Sequence, residues 1–308
     1  MSAEPMTKPA RKRTAKPSWI KMRAPAGERY MELKGMLADL KLATVCQSAA
    51  CPNIGECWGG GTATIMLMGD VCTRGCRFCN VKTGNPKGVL DADEPRKVSY
   101  AISKMDLDYI VLTSVDRDDL PDEGSEHFAK TVRMLKESSP NLLVEVLTPD
   151  FRGNEAFISA IVDAEPDVFA HNVETVERLT PGVRDRRATY AQSMRVLEFV
   201  KERDASRFTK TSLMLGLGET DEEVRQTLRD LRAVDCDVVT FGQYLQPQNR
   251  HLKVEAFVTP ERFKEWQTEA EGMGFLYVAS GPMVRSSYRA GEFFMKGMIE
   301  KRKREGVK

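Results

Sequence analysis

The stretch ATIMLMGDVCTRGCRFCNV, residues 63–81, joins a short apolar run to three closely spaced cysteines. The run is β-rich and ends at a glycine, which predicts a buried strand. Cys72, Cys76 and Cys79 then sit on the loop that leaves its C-terminal end. Outward from here the same rhythm repeats. Further apolar runs are DYIVLTS (108–114), LLVEVLTP (142–149), DVFAHNV (167–173), TKTSLMLGL (209–217), DVVTFGQYL (237–245) and FLYVASG (275–281). Helical signals fall between them. Phe128, Val132 and Leu135 share one helical face, as do Val224, Leu228 and Leu231, the latter behind a Thr220/Glu223 capping box. Phe263, Trp266, Ala270 and Met273 follow Thr259 as N-cap and Pro260 in the first turn. Met194, Leu197 and Val200 mark another helix between 188 and 203.

Alternating strands and helices imply parallel strands with crossover helices. Six or seven units fall short of a closed eight-fold barrel. The predicted class is α/β, a partial (β/α)6 TIM-like barrel with N-terminal and C-terminal extensions; a doubly wound sheet is the alternative. The expected division is a flexible basic arm at 1–27, an N-terminal extension at 28–62, the barrel at 63–274 and a C-terminal extension at 275–308. In either architecture, functional loops follow the C-terminal ends of the strands.

The chain has 308 residues, 41% hydrophobic and 30% charged, with a net charge of +1. That balance fits a globular protein and lacks the positive excess of a nucleic-acid binder. No apolar run is long enough to span a bilayer. The Lys/Arg/Pro-rich start reads as a solvated tail, with a nucleic-acid or membrane role as the other option. Six of the seven cysteines fall in two triplets, and Cys236 stands alone. An odd total argues against a disulfide framework, and tight triplets point to metal in a reducing cytoplasm.

Three thiolates on one short loop can hold three corners of a [4Fe–4S] cluster and leave the fourth iron open. Zinc with a distant fourth ligand is the competing use of such a triplet. The C-x3-C-x2-C spacing, with Phe78 before the last cysteine, resembles the radical SAM superfamily. There the resemblance implies S-adenosylmethionine (SAM) on the open iron, cleaved after one-electron reduction to methionine and a 5′-deoxyadenosyl radical. The cofactor performs the radical chemistry and the protein orients it.

The triplet nearer the N-terminus, Cys46, Cys51 and Cys57 in VCQSAACPNIGECW, has four and five residues between its members. That spacing matches no zinc-finger pattern. Taken with LTSVDRDDLPD (112–122), AHNVETVERL (170–179), SLMLGLGET (212–220), YLQP (244–247) and SGPMVRSSY (280–288), it resembles the lipoyl synthase family over nearly the whole chain. The resemblance implies an auxiliary [4Fe–4S] cluster on this triplet. Its fourth ligand would be a serine of RSSY, Ser287, with Ser286 as the alternative. An alkoxide is harder than thiolate and poorly matched to such a cluster, which suits one that is consumed.

The reaction implied by the resemblance is insertion of two sulfur atoms at C6 and C8 of a protein-bound octanoyl-lysine, the sulfur coming from the auxiliary cluster. The implied partners are octanoylated lipoyl carrier domains (2-oxoacid dehydrogenase E2 subunits and the glycine cleavage H protein), an electron donor such as ferredoxin or flavodoxin, and cluster repair proteins. No nucleic acid or membrane partner is expected, and the expected compartment is the cytoplasm. Rival readings are sulfur insertion of the biotin synthase type, and an electron carrier or zinc-stabilised binding module.

Asn172 and Glu174, after the fourth run, are candidate SAM contacts. Gly216, in a GxG turn, is a third. Asp116, Asp118 and Asp119 follow the second run without an assigned role. Arg184, Arg186 and Arg187 form a basic loop suited to an acidic carrier domain. The three histidines are scattered and read as structural, and Cys236 reads as a buried small hydrophobe.

Overall fold

The computed structural model describes residues 16–21, 27–49, 51–59, 64–105, 107–287 and 297–299. Most of the expected basic arm, and Tyr288 of RSSY, lie outside the described residues.

Before the barrel come α1 (Glu28–Asp39), β1 (Ala43–Thr44), α2 (Val45–Ser48) and α3 (Ile54–Gly59). The first barrel strand is β2 (Thr64–Leu67). A small parallel ribbon follows it, β3 (Val71–Cys72) with β4 (Lys82–Thr83), pairing Cys72 with Thr83. This ribbon closes the base of the second cysteine loop. Then the units alternate: α4 (Glu94–Met105), β5 (Tyr109–Ser114), α5 (Ser125–Ser138), β6 (Leu143–Leu147), α6 (Glu155–Val162), β7 (Val168–Ala170), α7 (Thr180–Val183), α8 (Tyr190–Arg203), β8 (Phe208–Leu215), α9 (Asp221–Ala233), β9 (Val238–Gln243), α10 (Pro260–Gly272) and β10 (Tyr277–Gly281).

The sheet order is β1-β2-β5-β6-β7-β8-β9-β10. Every pairing is parallel except β1 with β2. The edge strands β1 and β10 do not meet, so this is an open barrel of six βα units. Each of the seven apolar runs supplies one strand. The last of them, β10, pairs in register with β9, so the expected C-terminal extension contributes a seventh parallel strand. No helix among the described residues is long and apolar enough to cross a membrane.

The strands are buried on both faces, as parallel strands covered by helices must be. Phe128, Val132 and Leu135 of α5 are fully buried, each contributing about 1.5–3 kcal/mol. Strand-start residues Tyr109, Leu143, Val168, Phe208 and Val238 cluster with Ile299. Just inside, Lys210 Nζ reaches both Glu145 carboxylate oxygens at 2.8 and 2.9 Å, and the Tyr109 hydroxyl donates to Glu145 at 2.6 Å. The N-terminal end of the barrel is therefore filled. The C-terminal end is where space remains.

Candidate active site

A cavity of about 560 Å³ opens at the C-terminal ends of the strands. All six triplet cysteines line it, as do Ser286 and Ser287. Two long-range hydrogen bonds explain how segments so distant in sequence meet there. The Asn53 side-chain amide, between Cys51 and Cys57, donates to the Met283 carbonyl at 2.7 Å. The Asn80 amide, beside Cys79, donates to the Ser48 carbonyl at 3.0 Å. The first ties the RSSY segment to the N-terminal triplet. The second ties the two triplets together.

All seven cysteines are free thiols. Burial pushes the Cys51 and Cys72 thiols up, Cys76 up to about 12 and Cys79 up to about 11. Buried thiols held neutral become thiolates when a metal claims them. Main-chain amides already face two of them: Arg74 N–H donates to Cys72 Sγ at 3.4 Å and Asp185 N–H to Cys76 Sγ at 3.2 Å. Among the described residues, no three His, Cys, Asp or Glu gather as a single-ion site. The thiols ring a cavity instead of converging on a point, and soft thiolates in two sets of three suit iron–sulfur clusters better than zinc. The donor set fits two clusters.

Asn172 and Glu174 also line the cavity. Asn172 Nδ2 donates to Glu174 Oε1 at 3.1 Å, which leaves the buried Asn172 Oδ1 without a hydrogen-bond donor. Buried amide oxygens are nearly always satisfied, so this one is poised for a ligand. Glu174 holds a left-handed φ of 72°, strain of the kind found at functional sites. Burial pushes its carboxyl up, against the pull of Arg184. Gly216 differs from expectation. It is absent from the cavity lining, and its N–H donates to Glu219 within its own turn at 2.5 Å. A Cβ there would sit 2.3 Å from the Ala256 carbonyl and from the Gln243 amide, so the glycine serves close packing.

The basic loop is corrected as well. Arg184 is buried and donates to Ser193 Oγ at 2.6 Å. Arg187 pairs with Asp185 and Asp118. Only Arg186 of the three is exposed, too little for a docking patch.

The sequence reading missed the group that braces the second triplet. Arg74, inside that triplet, is 4% exposed and pairs with Asp116, Asp118 and Asp150 at 3.1, 3.1 and 2.6 Å. This gives Asp116 and Asp118 their role. Burial lifts Asp116 to about 6 in spite of Arg74. For Asp118 burial is outweighed by hydrogen bonds from Arg74 and Thr73, and its carboxyl falls to about 2. The signal was available: an arginine between closely spaced cysteines, and aspartates at the next strand end. His171 was also missed as a cavity residue.

Comparison with known proteins adds to this geometry. The radical SAM superfamily model matches residues 66–231, and the N-terminal domain model of lipoyl synthase matches residues 3–51. A lipoyl synthase of Myxococcus xanthus (strain DK1622) is 60% identical over 292 residues, 95% of this chain and 98% of the relative. A mitochondrial lipoyl synthase of Drosophila melanogaster is 58% identical over 293 residues, 94% of this chain and 78% of the relative. Among solved structures, the FeFe-hydrogenase maturase HydG from Carboxydothermus hydrogenoformans superposes with a TM-score of 0.54 at 11% identity, over 88% of this chain and 78% of that one. At that identity it speaks to the fold alone. By the length and closeness of its match to these relatives, the chain belongs to the lipoyl synthase family of the radical SAM superfamily.

Proposed function

We propose that this chain inserts two sulfur atoms, at C6 and C8, into an octanoyl group amide-linked to a lysine of a lipoyl carrier protein. The observation that carries the reading is the convergence of two cysteine triplets and a serine pair on one cavity. In this reading Cys72, Cys76 and Cys79 hold the SAM-binding cluster, and Cys46, Cys51, Cys57 and Ser287 hold the auxiliary cluster. When bound, SAM and the two clusters supply the radical that takes hydrogen from an unactivated C–H bond and the sulfur that replaces it.

The chain's own residues do the rest. The β3–β4 ribbon and the Arg74 network fix the loop of the second triplet. Asn172 Oδ1 and the Glu174 carboxyl offer polar partners for the amino-acid or ribose part of SAM. The filled N-terminal end of the barrel keeps water from entering the site from below. The cavity volume falls within the usual range for ligand sites. Ser287, the hardest donor of its set, would be the most weakly matched ligand of the auxiliary cluster.

The finer partners proposed are E2 subunits and the glycine cleavage H protein as carriers, a ferredoxin or flavodoxin as reductant, and repair proteins for the spent cluster. The proposed compartment is the cytoplasm, where thiols stay reduced. The 28–62 extension and the segment from 275 onward act as the holders of the auxiliary site around the 63–274 barrel.

The test uses anaerobically reconstituted protein with SAM, a strong reductant and an octanoyl-lysine peptide. 5′-Deoxyadenosine together with a peptide carrying two added sulfurs is expected. Deoxyadenosine without sulfur insertion would keep the radical class and remove this substrate. Absence of iron uptake and of SAM cleavage would remove both.

A further inference from the structure

Three arginines line the cavity: Arg74, Arg184 and Arg285. Arg74 faces three carboxylates, and Arg184 lies 4.0 Å from Asp150. Arg285 is different. Its Nη1 donates only to the main-chain carbonyls of Val284 (2.5 Å) and Pro282 (3.4 Å), and no carboxylate among the described residues pairs with it. A half-buried guanidinium with no counter-charge among the described residues is set to take an anion.

The surroundings say which one. Arg285 sits one residue before Ser286 and shares its cavity wall with Cys46, Cys51 and Cys57. It is held there on two sides. The Asn53 amide anchors Met283, two residues upstream. Gly242 of β9 lets the segment approach closely: a Cβ on it would lie 2.3 Å from the Val284 carbonyl and 3.3 Å from Arg285 Nη1.

We propose that Arg285 is the fixed counter-charge of the first triplet, offsetting the negative charge of Cys46, Cys51 and Cys57 once they bind iron and so setting the potential and the iron retention of that site. The proposal rests on the reading of this triplet as a cluster site. Cluster potentials follow net charge, hydrogen bonding and exposure. A cation nearby favours the more negative, reduced state and raises the potential. It also opposes loss of the anionic assembly until the chemistry removes sulfur.

The test reads the first site alone, in the full-length chain carrying Cys72→Ala, Cys76→Ala and Cys79→Ala. Iron content checks the underlying reading first: about four irons per chain are expected, and none at all would remove that reading whatever Arg285 does. With iron bound, Arg285→Gln should move the midpoint potential to more negative values and speed iron loss to a chelator roughly tenfold or more, as expected when one partner of a charge pair shielded from solvent is removed. Arg285→Lys should keep both near the unsubstituted chain. If the Gln variant takes up no iron, the Lys variant decides: uptake at an unshifted potential supports the counter-charge. Equal shifts in Gln and Lys, failure of both, or no shift in either would overturn it. So would weaker SAM binding by Arg285→Gln in the otherwise unsubstituted chain with the potential unmoved, which would give the charge to the cofactor.

Discussion

His171 shows how much one side chain's surroundings decide. Its Nδ1 lies 3.0 Å from the Thr148 carbonyl, which can only accept, so Nδ1 carries the proton. Its Nε2 then accepts from Ser193 Oγ at 2.8 Å, and that hydroxyl in turn accepts from Arg184 at 2.6 Å. The neutral ring is the form that fits. Burial, and next the Arg184 charge, pull its pKa from 6.5 to about 4. A histidine depressed by folding leaves stability intact above the unfolded value and loses it as pH falls toward the folded one. Stability should therefore decline between pH 6.5 and 4, by an amount on the order of a few kcal/mol. Melting curves of the unsubstituted chain and of His171→Gln across that range check this. The variant should be flatter; parallel profiles would remove His171 as the source.

At the scale of elements, α9 carries its own start signal. Thr220 accepts the Glu223 N–H at 3.3 Å, and the Glu223 carboxylate accepts the Thr220 N–H at 2.8 Å. Thr220→Ala should cost about 1 kcal/mol, read as a lowered melting temperature with iron content unchanged. A larger loss, or lost iron, would mean that α9 bears on the site. Elements with such signals were legible in the sequence, as were the seven parallel strands of the barrel, because doubly buried strands are continuous apolar runs; the two-residue strands β1, β3 and β4 were not. Helices α4 and α6 were not. In α4 the buried face mixes Glu94, Pro95, Val98, Ala101, Ile102 and Met105, and in α6 eight residues are too few for a period to emerge. The triplets and RSSY were readable as chemistry from spacing and resemblance. Arg184 and Arg187 were misread because charge in a sequence says nothing of its partner: Asp150 and Asp118 come from other segments, and Asp185 from the same loop. Gly216 shows that a GxG turn has a packing use beside any use toward a ligand, since a side chain there would meet Ala256 and Gln243.

Over the whole molecule, one ionic network joins the ends of several strands. Arg74 binds aspartates after β5 and β6, and Asp118 extends the network to Arg152 and Arg187. Removing the central cation leaves buried carboxylates facing one another. Arg74→Met should destabilise the chain by about 3–5 kcal/mol and loosen the second triplet. The expected result is a lower melting temperature, with iron lost from Cys72, Cys76 and Cys79 before the first triplet. An unchanged melt would show the network to be dispensable.

The tie between Asn53 and Met283 spans 230 residues of sequence. A ribosome delivers the chain from one end, so this bond cannot form until synthesis has passed residue 283. The loop of Cys72, Cys76 and Cys79 is closed far earlier by its local ribbon, whose strands end at Thr83. During its making the protein therefore has one nest for iron ready long before the other. The site proposed to give up its sulfur is the last to come into being.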